Sequence, residues 1–139
     1  MNDAVRQALA IDQSSSARDR TVDITTIGRQ SGNPRRIEIW FHRVLGKYYL
    51  TGTPGKRDWY VNLVATPHFT FHLKNDVRAD LPATAIPITD EAERRRIFTY
   101  MIDDFNQPHN PAGLSQPPHL EDWLAGSPLV EISFDNVGH

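Results

Sequence analysis

Arg36-Ile37-Glu38-Ile39-Trp40-Phe41-His42 decides the fold class. Ile37, Ile39 and Phe41 fall on one side of an extended chain and Arg36, Glu38, Trp40 and His42 on the other, the period of a half-buried strand. Before it, residues 22–27 are rich in β-branched side chains and stop at Gly28, a second strand. Gly28-Arg29-Gln30-Ser31-Gly32-Asn33-Pro34-Arg35 joins the two, and its glycines and Asn-Pro step suit a hairpin between antiparallel neighbours. After it, a turn at Leu45-Gly46-Lys47 leads to strands near 47–52, 69–73, 77–88 and 129–134, with the second placed near 36–44. Pro82 and Pro87 require an edge position or bulges for the fifth of these.

Helices interrupt this order. Asp58 is expected to cap a short helix through Trp59, Tyr60, Asn62 and Leu63, ended by Thr66-Pro67. Asp90-Glu91-Ala92-Glu93 has capping-box spacing, and Phe98, Met101, Ile102 and Phe105 follow at helical intervals. Residues 106–118 carry Pro108, Pro111, Pro117 and Pro118 and read as an irregular excursion before a helical turn or two over 119–125. No βαβ order appears, so the expected fold is mainly β (α+β), a largely antiparallel six-stranded barrel with short flanking helices. Residues 1–20 read as an N-terminal helix (2–10) and a polar linker at Gln13-Ser14-Ser15-Ser16, and residues 21–139 as the folded domain.

Composition removes whole classes of function. The 139 residues are 39% hydrophobic, enough for one core, and the formal net charge of −2 offers no bulk field to nucleic acid or an anionic membrane. The absence of cysteine excludes disulfides, thiolate metal sites and cysteine nucleophiles and fits a cytoplasmic protein. No stretch approaches the ~18 apolar residues of a membrane span. The chain lacks a Gly-x-Ser-x-Gly elbow, a Walker loop, a Gly-x-Gly-x-x-Gly turn and His-Glu-x-x-His. Its six histidines are dispersed, only His68 and His72 sharing a strand face, so no metal site is expected. Arg94-Arg95-Arg96 fans across different helix faces and reads as solvated surface.

Two basic turns remain. Arg29, Arg35 and Arg36 surround the first hairpin, and Gly55-Lys56-Arg57 precedes the helix opening at Asp58. Free amides, a positive dipole end and cations at a helix start suit an anion, although short basic turns are more often merely solvated.

The stretch Thr25-Thr26-Ile27-Gly28-Arg29-Gln30-Ser31-Gly32-Asn33-Pro34-Arg35 resembles the signature hairpin of the deazaflavin-dependent nitroreductase and quinone reductase family, a branch of the split β-barrel flavin-binding proteins. Trp40 sits where that family has an aromatic residue, Gly55-Lys56 resembles its glycine-lysine loop, and Asp58-Trp59-Tyr60-Val61-Asn62-Leu63-Val64-Ala65-Thr66-Pro67 resembles its Trp-Tyr-x-Asn-Leu helix. The resemblance implies a six-stranded split barrel binding coenzyme F420, a deazaflavin with a phosphate and an oligoglutamate tail. By position, Arg35 and Lys56 would contact its anionic part, backbone amides within the stretch Thr53-Pro54-Gly55-Lys56 would hold the phosphate, and Trp40 and Trp59 would border the ring. Arg29 and Arg57 are further partners on charge grounds, and the two basic turns are expected to line one cleft. Gln30 replaces a commonly basic residue, and the 52–58 loop is shorter than the family's.

The implied activity is hydride transfer from reduced F420 to a small electron-poor acceptor such as a quinone, nitro or enone compound. Tyr60 and His109 are candidate proton donors, each with a commoner structural role, so the catalytic acid stays unassigned. Two other readings stay open: a split-barrel enzyme using FMN, and a noncatalytic carrier of a lipid-like or cofactor-like ligand. Homodimers are common in the architecture, and no apolar stripe marks an interface.

Overall fold

The computed structural model describes residues 1–12, 14–105 and 119–135. Strands β1 (Thr21–Ile27), β2 (Pro34–Val44), β3 (Lys47–Thr51), β4 (His68–Lys74), β5 (Arg78–Pro87) and β6 (Leu129–Phe134) close into a barrel in the order β1-β2-β3-β6-β5-β4. Every pairing is antiparallel. Helices α1 (Asp3–Leu9), α2 (Ala17–Arg20), α3 (Asp58–Ala65), α4 (Glu91–Phe105) and α5 (Leu120–Gly126) flank it. The excursion expected over 106–118, with His109, lies outside the described residues.

Alternation places the core. Val22, Ile24 and Thr26 of β1 are buried, and Ile24 pairs with Ile37 and Val22 with Ile39, so these side chains share the barrel interior with Phe41. Phe71 forms edge-to-face contacts with Phe41 (5.3 Å) and Phe134 (5.0 Å), a geometry that lets ring edges meet ring faces. A second cluster lies under α4 and α5, where Ile97, Phe98, Met101, Ile102 and Trp123 cover Val44, Tyr49 and Leu129. At the start of α4, Asp90 Oδ2 accepts the Glu93 N–H at 3.0 Å, one half of the expected capping box.

Three local expectations need correction. First, Pro82 and Pro87 lie in a strand paired on both sides, not in an edge strand, and are accommodated where a neighbouring ladder ends. An antiparallel residue turns its nitrogen and carbonyl to the same neighbour. The Pro82 carbonyl accepts from Asp135, past the end of β6, while its ladder with β6 begins at Ala83. On the alternating register, Pro87 turns its nitrogen to the β4 side, beyond the last bond there, Ala85 N–H to Pro67. Each proline faces a neighbour that has run out.

Second, the N-terminal segment is part of the packing. Val5, Leu9 and Ile11 belong to the barrel's core cluster, and the stretch read as linker leads into α2, capped reciprocally by Ser16 and Asp19. Buried Arg20 donates to the carbonyls of Asp12 and Ser15. Third, Asp58 is the first residue of α3 and not its cap. Arg57 occupies the cap position, with no side-chain hydrogen bond to the helix.

Candidate functional site

The hairpin, the start of α3 and the barrel's inward-facing end form one cavity of about 400 Å³. Arg29, Gln30 and Ser31 come from the hairpin, Thr26, Arg35 and Ile37 from β1 and β2, and Asp58, Trp59 and Asn62 from α3. The inward register explains the strand contribution: Thr26 pairs with Arg35 beside the Ile24–Ile37 pair, so Arg35 emerges where the apolar interior meets solvent. Arg36, one residue on, turns outward and ion-pairs with Asp23 at 2.9 Å. Burial opposes ionisation of Asp23, but hydrogen bonds from Lys74 and Arg36 hold its pKa below the usual value.

Asn62 joins the cavity's three parts. It is 5% exposed, on the buried side of α3 beside Trp59 and Leu63. Its Oδ1 accepts both the backbone N–H and the guanidinium of Arg29, and its Nδ2 reaches Thr26 Oγ1. Arg29 also approaches Asp58 at 3.4 Å. Trp59 is both a core residue and a cavity wall, edge-on to Tyr60 at 6.1 Å.

The second basic turn faces elsewhere. Gly55, Lys56 and Arg57 line a separate cavity of about 600 Å³ with Tyr60, Val61 and Ser127. The two cavities lie on either side of α3's first turn, so the single cleft expected from the sequence is divided. Arg57 is used within its own loop: Nη2 donates to the carbonyl and hydroxyl of Thr53, both at 2.9 Å, and Nη1 to the Lys56 carbonyl at 3.1 Å. The Gly55 amide, expected among those holding a phosphate, donates instead to the Gly126 carbonyl at 3.0 Å. Pro54 packs against Gly126. The loop closes on itself and on α5.

Trp40 lies apart from both cavities. It pairs with Thr21 at the far end of the β1–β2 ladder, on the outward face, whereas the first cavity uses the inward face and the hairpin end. Of the residues singled out, Arg29, Arg35 and Trp59 therefore meet in one cavity and Gly55, Lys56 and Arg57 in another. Thr26, Ile37, Asn62 and Ser127 were not singled out. A polar residue among the apolar ones of an amphipathic helix was the available signal for Asn62.

The histidines find separate partners. His68 meets Thr84, while buried His72 bridges Thr25 Oγ1 (2.7 Å) and Asp80 Oδ1 (2.6 Å). The hydrogen bond from His72 lowers the pKa of Asp80. Neither cavity is lined by this Thr25–His72–Asp80 chain. Among the described residues no group of three His, Asp or Glu side chains is placed to hold a metal, and no helix is long and apolar enough to cross a membrane.

A closed antiparallel barrel with a cationic, partly apolar cavity at one end defines the class of split β-barrel proteins. The chain belongs to the F420H(2)-dependent quinone reductase family, whose model matches residues 10–109. It is thus an oxidoreductase that uses F420H2, and the carrier reading falls. Solved structures share the fold. A conserved hypothetical protein of Mycobacterium tuberculosis is 20% identical, with 98% of this chain and 82% of that one covered and a TM-score of 0.66. An F420H2-dependent reductase is 21% identical over 82% and 94% of the two chains, with a TM-score of 0.53. A Clostridium acetobutylicum protein of the pyridoxinephosphate oxidase family is 14% identical over 95% and 82%, with a TM-score of 0.62.

Proposed function

We propose that this reductase delivers hydride to a small electron-poor acceptor of the quinone, nitro or enone type, and that the Arg29–Arg35 cavity is where it holds its cofactor. The observation that carries the placement is the donor set: two guanidiniums and a buried amide share a wall with Trp59 and Ile37. That mixture suits a flat ring joined to phosphate and carboxylates, because arginine forks match such oxygens while the indole and isoleucine exclude water from a ring. When bound, F420H2 supplies the hydride.

The protein's part is positioning. Arg29 and Arg35 bind charge that is the same before and during transfer, so they act on affinity. Trp59, fixed by the core behind it, sets where a ring can lie, so it acts on turnover. Thr53, Pro54, Gly55 and Arg57 support α3's first turn from the far side. Steady-state oxidation of F420H2 with a menadione-type quinone, for wild type and Trp59→Ala at saturating cofactor, tests this. The variant should turn over more slowly with the site full. Equal turnover would remove Trp59 from the site.

A further inference from the structure

The buried polar side chains that line the Arg29–Arg35 cavity are Thr26 and Asn62, 1% and 5% exposed. Their hydrogen bonds can be assigned atom by atom. Arginine donates and never accepts, so the two bonds from Arg29 fix which end of the Asn62 amide is its oxygen. The other end, Nδ2, is therefore the one turned to Thr26, 3.4 Å from Oγ1. An amide nitrogen can only donate, so the threonine oxygen accepts, and the hydroxyl's own proton has no acceptor among the described residues.

Two donors are thus under-used at one spot. The 3.4 Å approach is beyond the usual length of an N–H···O bond, and Nδ2 carries a second N–H with no acceptor among the described residues. Buried donors in this state cost free energy that an acceptor atom on a ligand would recover. Both are held by rigid elements. Thr26 lies in β1, paired with Arg35 of β2, and Asn62 lies in α3 between the core residues Trp59 and Leu63. The two donors are therefore in place before a ligand arrives, and little ordering is needed to use them. Arg29 and Arg35 are exposed by comparison, so their charge meets a ligand nearer solvent.

We infer that Thr26 and Asn62 form a two-donor seat for one oxygen of the bound cofactor, and that the Thr26 hydroxyl is a specificity-determining contact to it. An oxygen with two lone pairs, whether a ring carbonyl or a phosphate or carboxylate oxygen of the tail, can accept from both donors at once. The inference rests on the placement of F420 in this cavity. The test titrates F420 and the tail-free 8-hydroxy-5-deazariboflavin, by fluorescence quenching, into wild type, Thr26→Val, Thr26→Ser and Arg35→Ala, with melting curves of the cofactor-free proteins. Valine keeps the branched shape of threonine and exchanges a hydroxyl whose proton has no acceptor for a methyl group. Thr26→Val should therefore melt no lower than wild type, yet bind F420 about tenfold more weakly, the size of one hydrogen bond. Thr26→Ser, which keeps the hydroxyl, should recover most of that affinity. An equal loss for the tail-free compound would identify the oxygen as a ring carbonyl, and a loss confined to F420 would identify it as a tail oxygen. Thr26→Val binding both compounds as wild type does, or melting well below it, would overturn the seat, as would Thr26→Ser binding as weakly as the valine variant. If Arg35→Ala still weakens F420 in that case, the placement of the cofactor stands and only the seat falls. Arg35→Ala binding F420 as wild type does would overturn the placement, and the seat with it.

Discussion

Asn62 holds Arg29 at two points: its Oδ1 accepts the backbone N–H at 3.1 Å and the guanidinium Nη1 at 3.0 Å. A buried amide of α3 thereby fixes both the path of the hairpin and the direction of its arginine. Asn62→Ala should cost about 1–3 kcal/mol, since it strands a part-buried amide N–H, and should weaken F420 binding. Asn62→Asp, which keeps the accepting oxygen, should recover part of both. Urea unfolding and fluorescence titration measure the two effects. An alanine variant unchanged in both would show that the hairpin is held by other contacts.

Gly55 has φ +138°, and a Cβ there would lie 2.9 Å from Arg57 Nη1. Gly55→Ala therefore strains the backbone and also pushes the guanidinium off Thr53. Thermal melting should show a loss of roughly 1–3 kcal/mol, the usual range for a residue forced into such a conformation. Arg57→Ala relieves nothing but loses only the side-chain bonds, so its loss should be smaller. The reverse order would mean that the loop is held by Arg57 alone.

The β2–β3 turn places Leu45 at φ 52° and Gly46 at φ 79°, both in the left-handed region. Leu45 is 61% exposed, so it gains little from burial there. Leu45→Asn creates the Asn-Gly pair such turns favour and should stabilise the fold by up to about 1 kcal/mol. A lower melting temperature for this variant would mean that Leu45 packs against something in solution.

His42 faces outward on β2 yet is buried, and burial, with a smaller contribution from Arg20, drives its pKa down to about 3 from 6.5. The native imidazole stays neutral while the unfolded one takes a proton below pH 6.5, so unfolding binds a proton in that window and acid destabilises the fold. Stability should fall between pH 6.5 and about 5 with a slope of at most ~1.4 kcal/mol per unit from this group. The lowered carboxylates of Asp23 and Asp80 act only below about 3.8. Urea unfolding across that range, for wild type and His42→Gln, should show the slope flattened in the variant. Identical slopes would contradict a neutral buried imidazole.

The strands were legible because their cue is local. Ile37, Ile39 and Phe41 declare a face within one strand, and Phe69, Phe71 and Leu73 do so in another. Closure of the barrel needed the β3–β6 and β1–β4 pairings, which join distant segments. The site was only half legible for the same reason. Arg29, Arg35 and Trp59 carry chemistry in their residue types, whereas Asn62 and Thr26 acquire theirs from burial. The division into two cavities was hidden because it depends on which side of α3 each neighbour falls. Trp40 was singled out from the polar strand face, whereas the cavity opens at the inward face and is not lined by it.

The central claim is that Arg35, at the inward-facing end of β2, helps hold F420. Quenching of F420 fluorescence by purified wild type and Arg35→Ala measures it directly, with FMN titrated in parallel. The account expects micromolar or tighter binding of F420 by wild type, loss of about 1.5–3 kcal/mol in the variant, roughly ten- to a hundredfold in Kd, and weaker binding of FMN. No quenching by wild type, tighter binding of FMN, or an unchanged Kd for Arg35→Ala would contradict it.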